Sequence, residues 1–247
     1  MSDIARFAVF VAVVLASVAV HASEPRVVLL ERDPWRMVVG SDSPTFVLYS
    51  DGLAIFRASN ASSSPSGYLS TRLSNVEYQA FISSITPETM ANLAASYMAS
   101  SWTDQPNNEL HLWLNGRRKS VSVYGALRRD VEARSKTPSG FLRAFDAITK
   151  FSPKASPWLP DFIEVLIWPF EYSPEKPLRW PEGWPPFEQA RPRGREGLHQ
   201  VLLEAKHLDR LNQLINSLKP KQAVSLGNRK WAISYRLPLP QENAWAR

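Results

Sequence analysis

Three dipeptides constrain this chain more than any other feature. Asp51-Gly52, Asn115-Gly116 and Gly227-Asn228 each stand between short runs rich in β-branched, aromatic or leucine residues. Such pairs readily supply the positive φ of a tight turn, whose twist must match that of the two strands it joins. The flanking runs are TFVLYS and LAIFRA around the first, ELHLWL and RRKSVSVYG around the second, and AVSL and WAISYRL around the third. In ELHLWL, Leu110, Leu112 and Leu114 alternate with His111 and Trp113, giving one aliphatic face and one mixed face. Hairpins spread along the chain predict a mainly antiparallel sheet.

Further strands are expected in RVVLL (26–30), RMVVG (36–40), YLSTRL and DFIEVLIW, and in HQVLLEA, where a helix is the alternative. Ser74 and Glu77 have capping-box spacing, and Val76, Phe81 and Ile82 are expected to form the buried face of that helix. Thr86-Pro87 opens a helix expected to run to about Met98, and Thr137-Pro138 opens another, with Phe141, Leu142, Phe145 and Ile148 as its stripe. LDRLNQLINSL is a last amphipathic helix. The order strand, helix, hairpin occurs twice, over 68–124 and 199–237, and suggests one continuous sheet with helices on one face. The expected fold class is α+β, a single domain over 23–247. The three-proline segment 152–160 is where two subdomains would meet.

The first 22 residues read as a signal peptide. The apolar run Phe7–Val20 is fourteen residues long, shorter than the about 20 a membrane span needs, and Val20-His21-Ala22 is a small-residue cleavage site. Without cysteine, the chain matches a bacterial periplasm or cell exterior better than a disulfide-forming secretory route. A membrane enters this reading only if the N-terminal segment is retained as an anchor. The formal net charge of +6 is spread along the chain and offset by 23 acids, which describes a soluble surface with a positive bias.

Residues 168–187, WPFEYSPEKPLRWPEGWPPF, hold six aromatics and six prolines. The prolines rule out a helix or central strand. The rings carry enough apolar area, roughly 150–250 Å² each, to favour an ordered strap over disorder. Trp180-Pro181-Glu182-Gly183 suits a tight turn that brings Trp180 and Trp184 together. With Arg179 and Glu182 alongside, these two tryptophans are the candidate binding residues, able to stack on a sugar or clasp a peptide.

No nucleophile elbow, glycine-rich phosphate loop or zinc spacing is present. His111, His199 and His207 are scattered, and no cofactor is implied. Glu164, Glu171, Glu175 and Glu182 near the strap are the basis for an alternative, a hydrolase acting on cell-wall or other glycans. Basic clusters such as Arg117-Arg118-Lys119 lack the interleaved aromatics of single-strand binders, which argues against nucleic acid. FVLYSDGLAIFR, TDQP, VYG, WPEGWP and the closing YRLPLP together resemble uncharacterised exported bacterial proteins of α+β type. That resemblance implies no activity and supplies no catalytic residue. The expectation is an exported, non-enzymatic binding or interaction protein whose partner is a glycan, a peptide or an envelope protein. A third reading is a structural module held by an uncleaved N-terminus.

Overall fold

The computed structural model describes residues 23–34, 43–58, 64, 66–85, 88–114, 116–194 and 196–245. The expected signal peptide, the strand RMVVG and the Thr86-Pro87 helix start lie outside these residues.

The hairpin signals place the strands. Asp51-Gly52 joins β2 (Phe46–Tyr49) to β3 (Leu53–Arg57), and Gly52 has φ +82°. A Cβ there would lie 2.7 Å from the Leu73 carbonyl oxygen, so the turn excludes every side chain. β4 (Tyr68–Arg72) follows, and β1 (Pro25–Arg32) precedes them. The second hairpin joins β6 (Asn107–Leu114) to β7 (Arg117–Tyr124), and β5 (Ser96–Met98) pairs parallel to β7 as an edge. With β8 (Ser156–Pro157), these form an eight-stranded sheet in the order β5-β7-β6-β1-β2-β3-β4-β8.

A second sheet takes the later strands: β9 (Phe162–Pro169), β10 (Leu178–Arg179), β11 (Arg191–Pro192), β12 (His199–Glu204), β13 (Val224–Leu226) and β14 (Arg229–Arg236). Their order is β10-β13-β14-β9-β12-β11. The fold is α+β, with two mostly antiparallel sheets in place of the single continuous sheet expected. The segment 152–160 runs between them and contributes β8 to the first.

Helices α1 (Asn75–Ile85), α2 (Glu88–Ala91), α3 (Val131–Ser135) and α4 (Ser139–Thr149) belong to the first half, and α5 (Leu208–Ser217) to the second. The capping box forms as expected: the Glu77 amide donates to Ser74 Oγ at 3.3 Å and the Ser74 amide to Glu77 Oε2 at 2.8 Å. Two expectations fail nearby. Val76, in the first turn of α1, is exposed, while Phe81 and Ile82 pack on the core. The helix expected to reach Met98 ends at Ala91, because Ser96–Met98 is taken up by β7 as an edge strand.

The first sheet has two apolar faces. Val27, Leu29, Phe46, Leu48, Leu110 and Leu112 pack with Phe141, Phe145 and Ile148 of α4. On the other face, Val28, Leu30, Val47, Tyr49 and Ile55 share one cluster with Ile163, Val165, Val201 and Trp231 of the second sheet and Leu211 of α5. Four consecutive buried residues, Val27 to Leu30, show why β1 reads as an unbroken apolar run: it is covered on both sides. The C-terminal tail then crosses back. The Tyr49 hydroxyl donates to the Pro240 carbonyl at 2.8 Å, Arg118 donates to the Ala244 carbonyl at 2.7 Å, and Trp245 is buried.

Candidate functional site

A cleft of about 630 Å³ opens at one end of the first sheet, on its helix-covered side. β1 contributes Leu29, Glu31 and, just past its end, Asp33; β2 and β3 contribute Phe46, Phe56 and Arg57; the loop after β7 contributes Leu127, Arg128 and Arg129; and α4 with its exit contributes Ile148 and Phe151. The floor is aromatic. Phe151 meets Phe46 and Phe56 edge-on, with centroids 5.2 and 5.1 Å apart. Such edge-to-face pairs fix ring positions beyond what burial alone does.

The charged rim is held in place from several sides. Arg128 grips Glu31 with both ends of its guanidinium, Nε to Oε1 at 2.6 Å and Nη2 to Oε2 at 2.7 Å. The Glu31 carboxylate is mostly buried, and its hydrogen bonds push the Arg128 pKa above the ordinary arginine range. Buried Asn108 donates to the Val123 and Gly125 carbonyls at 3.0 and 2.8 Å, fixing the strand end from which the arginine loop leaves. Arg134 donates to the Leu127 carbonyl at 2.9 Å and pairs with Asp146 of α4 at 2.7 Å, so the loop is tied to the helix as well. Asp130 caps α3 through the Glu132 and Ala133 amides.

Arg57 and Arg129 differ from Arg128. Both are exposed and line the cleft, and neither forms an ion pair with a carboxylate of the described residues. Arg57 lies over the Tyr68 ring, 5.1 Å from its centroid, and Tyr68 packs in the cluster on the other face of the sheet, so the Arg57 guanidinium is turned away from the phenylalanine floor. The cleft thus offers an aromatic floor, a cation without a carboxylate partner among the described residues, Arg129, and polar groups at Thr45 and Asn108. That set suits a ligand with an apolar group at one end and a carboxylate at the other. Sequence reasoning missed these residues, which are separated along the chain and carry no motif.

The strap residues have other surroundings. Trp180 and Trp184 meet edge-on at 5.1 Å, and Trp184 is 5% exposed. The Trp180 indole donates to the Pro185 carbonyl at 3.0 Å, and Arg210 of α5 lies over the Trp184 ring. The turn between them is shifted one residue from that expected: the Trp184 amide meets the Pro181 carbonyl at 3.3 Å, with Gly183 at φ +81°. Arg179 and Glu182 stay exposed, and the two rings are packed into the protein.

The four carboxylates of the hydrolase reading are also dispersed. Glu171 pairs with Arg229 at 3.0 Å and Glu175 with Lys219 at 3.9 Å. Glu164 accepts from Arg236 at 3.0 Å and pairs with Arg193 beside a polar cavity of about 490 Å³. Arg236 reaches Glu242 of the tail there too, so this network clamps the C-terminus against the second sheet. Of the three histidines, His111 is buried with its Nδ1 2.8 Å from Ser120 Oγ across the hairpin. Desolvation lowers its pKa below the ordinary imidazole range. His199 and His207 sit against Trp231 and Trp184. No three His, Asp or Glu side chains among the described residues gather as a metal set.

Comparison with protein-family models, curated proteins and solved structures finds no match to this chain.

Proposed function

We propose that this is an exported binding protein, and that the cleft takes a short peptide, or a peptide-bearing envelope fragment, with an apolar side chain next to a free carboxylate. The observation that carries the reading is the pairing of Arg129 with a phenylalanine floor. A charge-assisted hydrogen bond is worth about 1.5–3 kcal/mol, enough to select an acid over its neutral analogue by tenfold or more. The Glu31–Arg128 pair then fixes the loop and leaves Arg129 to the ligand. Export is supported by the apolar run Phe7–Val20 and the small-residue site at Ala22. Mass spectrometry of the exported chain is expected to find Ser23 at its N-terminus, and an intact Met1 would sink that part.

Calorimetric titration with short peptides ending in phenylalanine, as free acids and as amides, tests the site. The acids are expected to bind at least about tenfold tighter, and Arg129→Ala to abolish the preference. Equal binding of acid and amide would overturn the reading.

A further inference from the structure

At the opposite sheet, one end is built as if to meet a surface. Tyr172 is 96% exposed, the most exposed large hydrophobic side chain among the described residues, and yet its backbone is pinned. Its neighbour Ser173 is buried: the Ser173 hydroxyl donates to the Lys221 carbonyl at 2.8 Å, accepts from the Ala223 amide at 3.1 Å, and its carbonyl accepts from Lys230 Nζ at 2.9 Å. A ring that gains nothing from burial is held outward by a turn that cannot readily move.

The same contacts gather charge around it. Lys176, Lys219, Lys221, Arg229 and Lys230 come together at this end, since Gln222 donates to the Lys176 carbonyl and the Lys230 carbonyl accepts from the Phe170 amide. Glu171 and Glu175 oppose them, paired with Arg229 and Lys219. Lys176 and Lys221 are exposed, and no carboxylate of the described residues pairs with either. Lys221 also has φ +63°, a conformation cheaper for glycine or asparagine, so a lysine is kept there at a backbone cost.

We propose that this end docks on an anionic phospholipid surface, with Tyr172 entering the headgroup region and the lysines around it meeting lipid phosphates. An amphipathic ring is favoured at a membrane–water interface, and each basic residue near an anionic leaflet adds about fivefold to binding. The inference is independent of the cleft, which lies in the other sheet, and of the N-terminal apolar segment. So that any binding by that segment cancels, the readout is the ratio of binding to phosphatidylglycerol-containing vesicles over pure phosphatidylcholine vesicles, measured on the full chain by co-sedimentation.

The ratio is expected to exceed about tenfold at low salt and to collapse at high salt, where exposed charges are screened. Lys176→Ala and Lys221→Ala are each expected to lower it about fivefold, and Tyr172→Ala to weaken anionic binding while leaving the salt dependence unchanged. All three side chains are exposed, so the variants are expected to fold; unchanged far-ultraviolet circular dichroism checks this. A ratio near one, a ratio the three variants leave unchanged, or binding to soluble polyphosphate without vesicle binding would overturn the proposal.

Discussion

The strap around Trp180 and the cleft beside Arg128 are made of the same parts, aromatic rings and arginines, assembled in opposite senses. In the strap the rings close on each other: Trp184 is packed against Trp180, His207 and the Arg210 guanidinium, and the Trp180 indole is occupied by the Pro185 carbonyl. In the cleft, Phe46, Phe56 and Phe151 make a floor, and the arginine loop stands off from it, leaving about 630 Å³ open. The difference lies in where the cations are held. Arg210 lies on the Trp184 ring within the packed strap, while Arg128 lies 6.0 Å from the Phe145 ring and is gripped by Glu31 at the rim of the open volume. Ring content alone therefore does not distinguish a packing element from a binding one; the open volume left beside the rings does.

The largest effect that would break this contrast is in the strap. Trp184→Ala is expected to cost about 3–5 kcal/mol in urea unfolding, the range for emptying a large buried aromatic site, and to leave peptide affinity at the cleft unchanged. A loss under about 1 kcal/mol would make the strap a peripheral flap. Next comes Arg128→Ala, expected to cost about 1–2 kcal/mol. It strands the mostly buried Glu31 carboxylate, but Arg128 itself is more than half exposed, which limits the loss. The same change is expected to weaken peptide binding indirectly, by loosening the loop that carries Arg129. In contrast, Arg129→Ala is expected to change unfolding by about 0.5 kcal/mol or less while reducing free-acid peptide affinity at least about tenfold.

The smallest effect concerns the face of the first sheet turned away from the cleft. His111 has a pKa lowered by burial from its ordinary 6.5. On acidification the unfolded chain takes up this proton first. The stability is thus full above about pH 6.5 and falls as the pH drops through that value towards the lower folded-state pKa. His111→Gln is expected to make the fall of Tm between neutral and mildly acidic pH shallower without moving the cleft. An unchanged slope would place the acid sensitivity elsewhere.

Much of the fold was legible because local chemistry dictated it. Gly52 and the pair Gly227-Asn228 take positive φ where the hairpins need it, and Ser74 with Glu77 closes a helix end. Sheet membership was not legible, since a strand pattern says which faces are buried but not which neighbours it has. One signal was available: the unbroken run Val27 to Leu30 implies cover on both faces, hence a second layer. β5 was missed because three residues at a parallel edge carry no period, and Val76 because it falls on the open side of the first helical turn. The cleft was illegible for a related reason. Glu31, Arg128 and Arg129 are ordinary charged residues at a strand end and in a loop, and only the sheet order brings them together. Trp180 and Trp184 were conspicuous because tryptophan is rare and large, the property that also drives it inward.

The claim that ligand enters the cleft and not the strap is tested most directly by an amide chemical-shift map recorded during titration with a phenylalanine-ending free-acid peptide. The perturbations are expected at Thr45, Arg57, Asn108, Arg128 and Arg129, with the amides of 178–187 unmoved. Shifts centred on Arg179, Trp180, Glu182 and Trp184, with the cleft unmoved, would contradict the account.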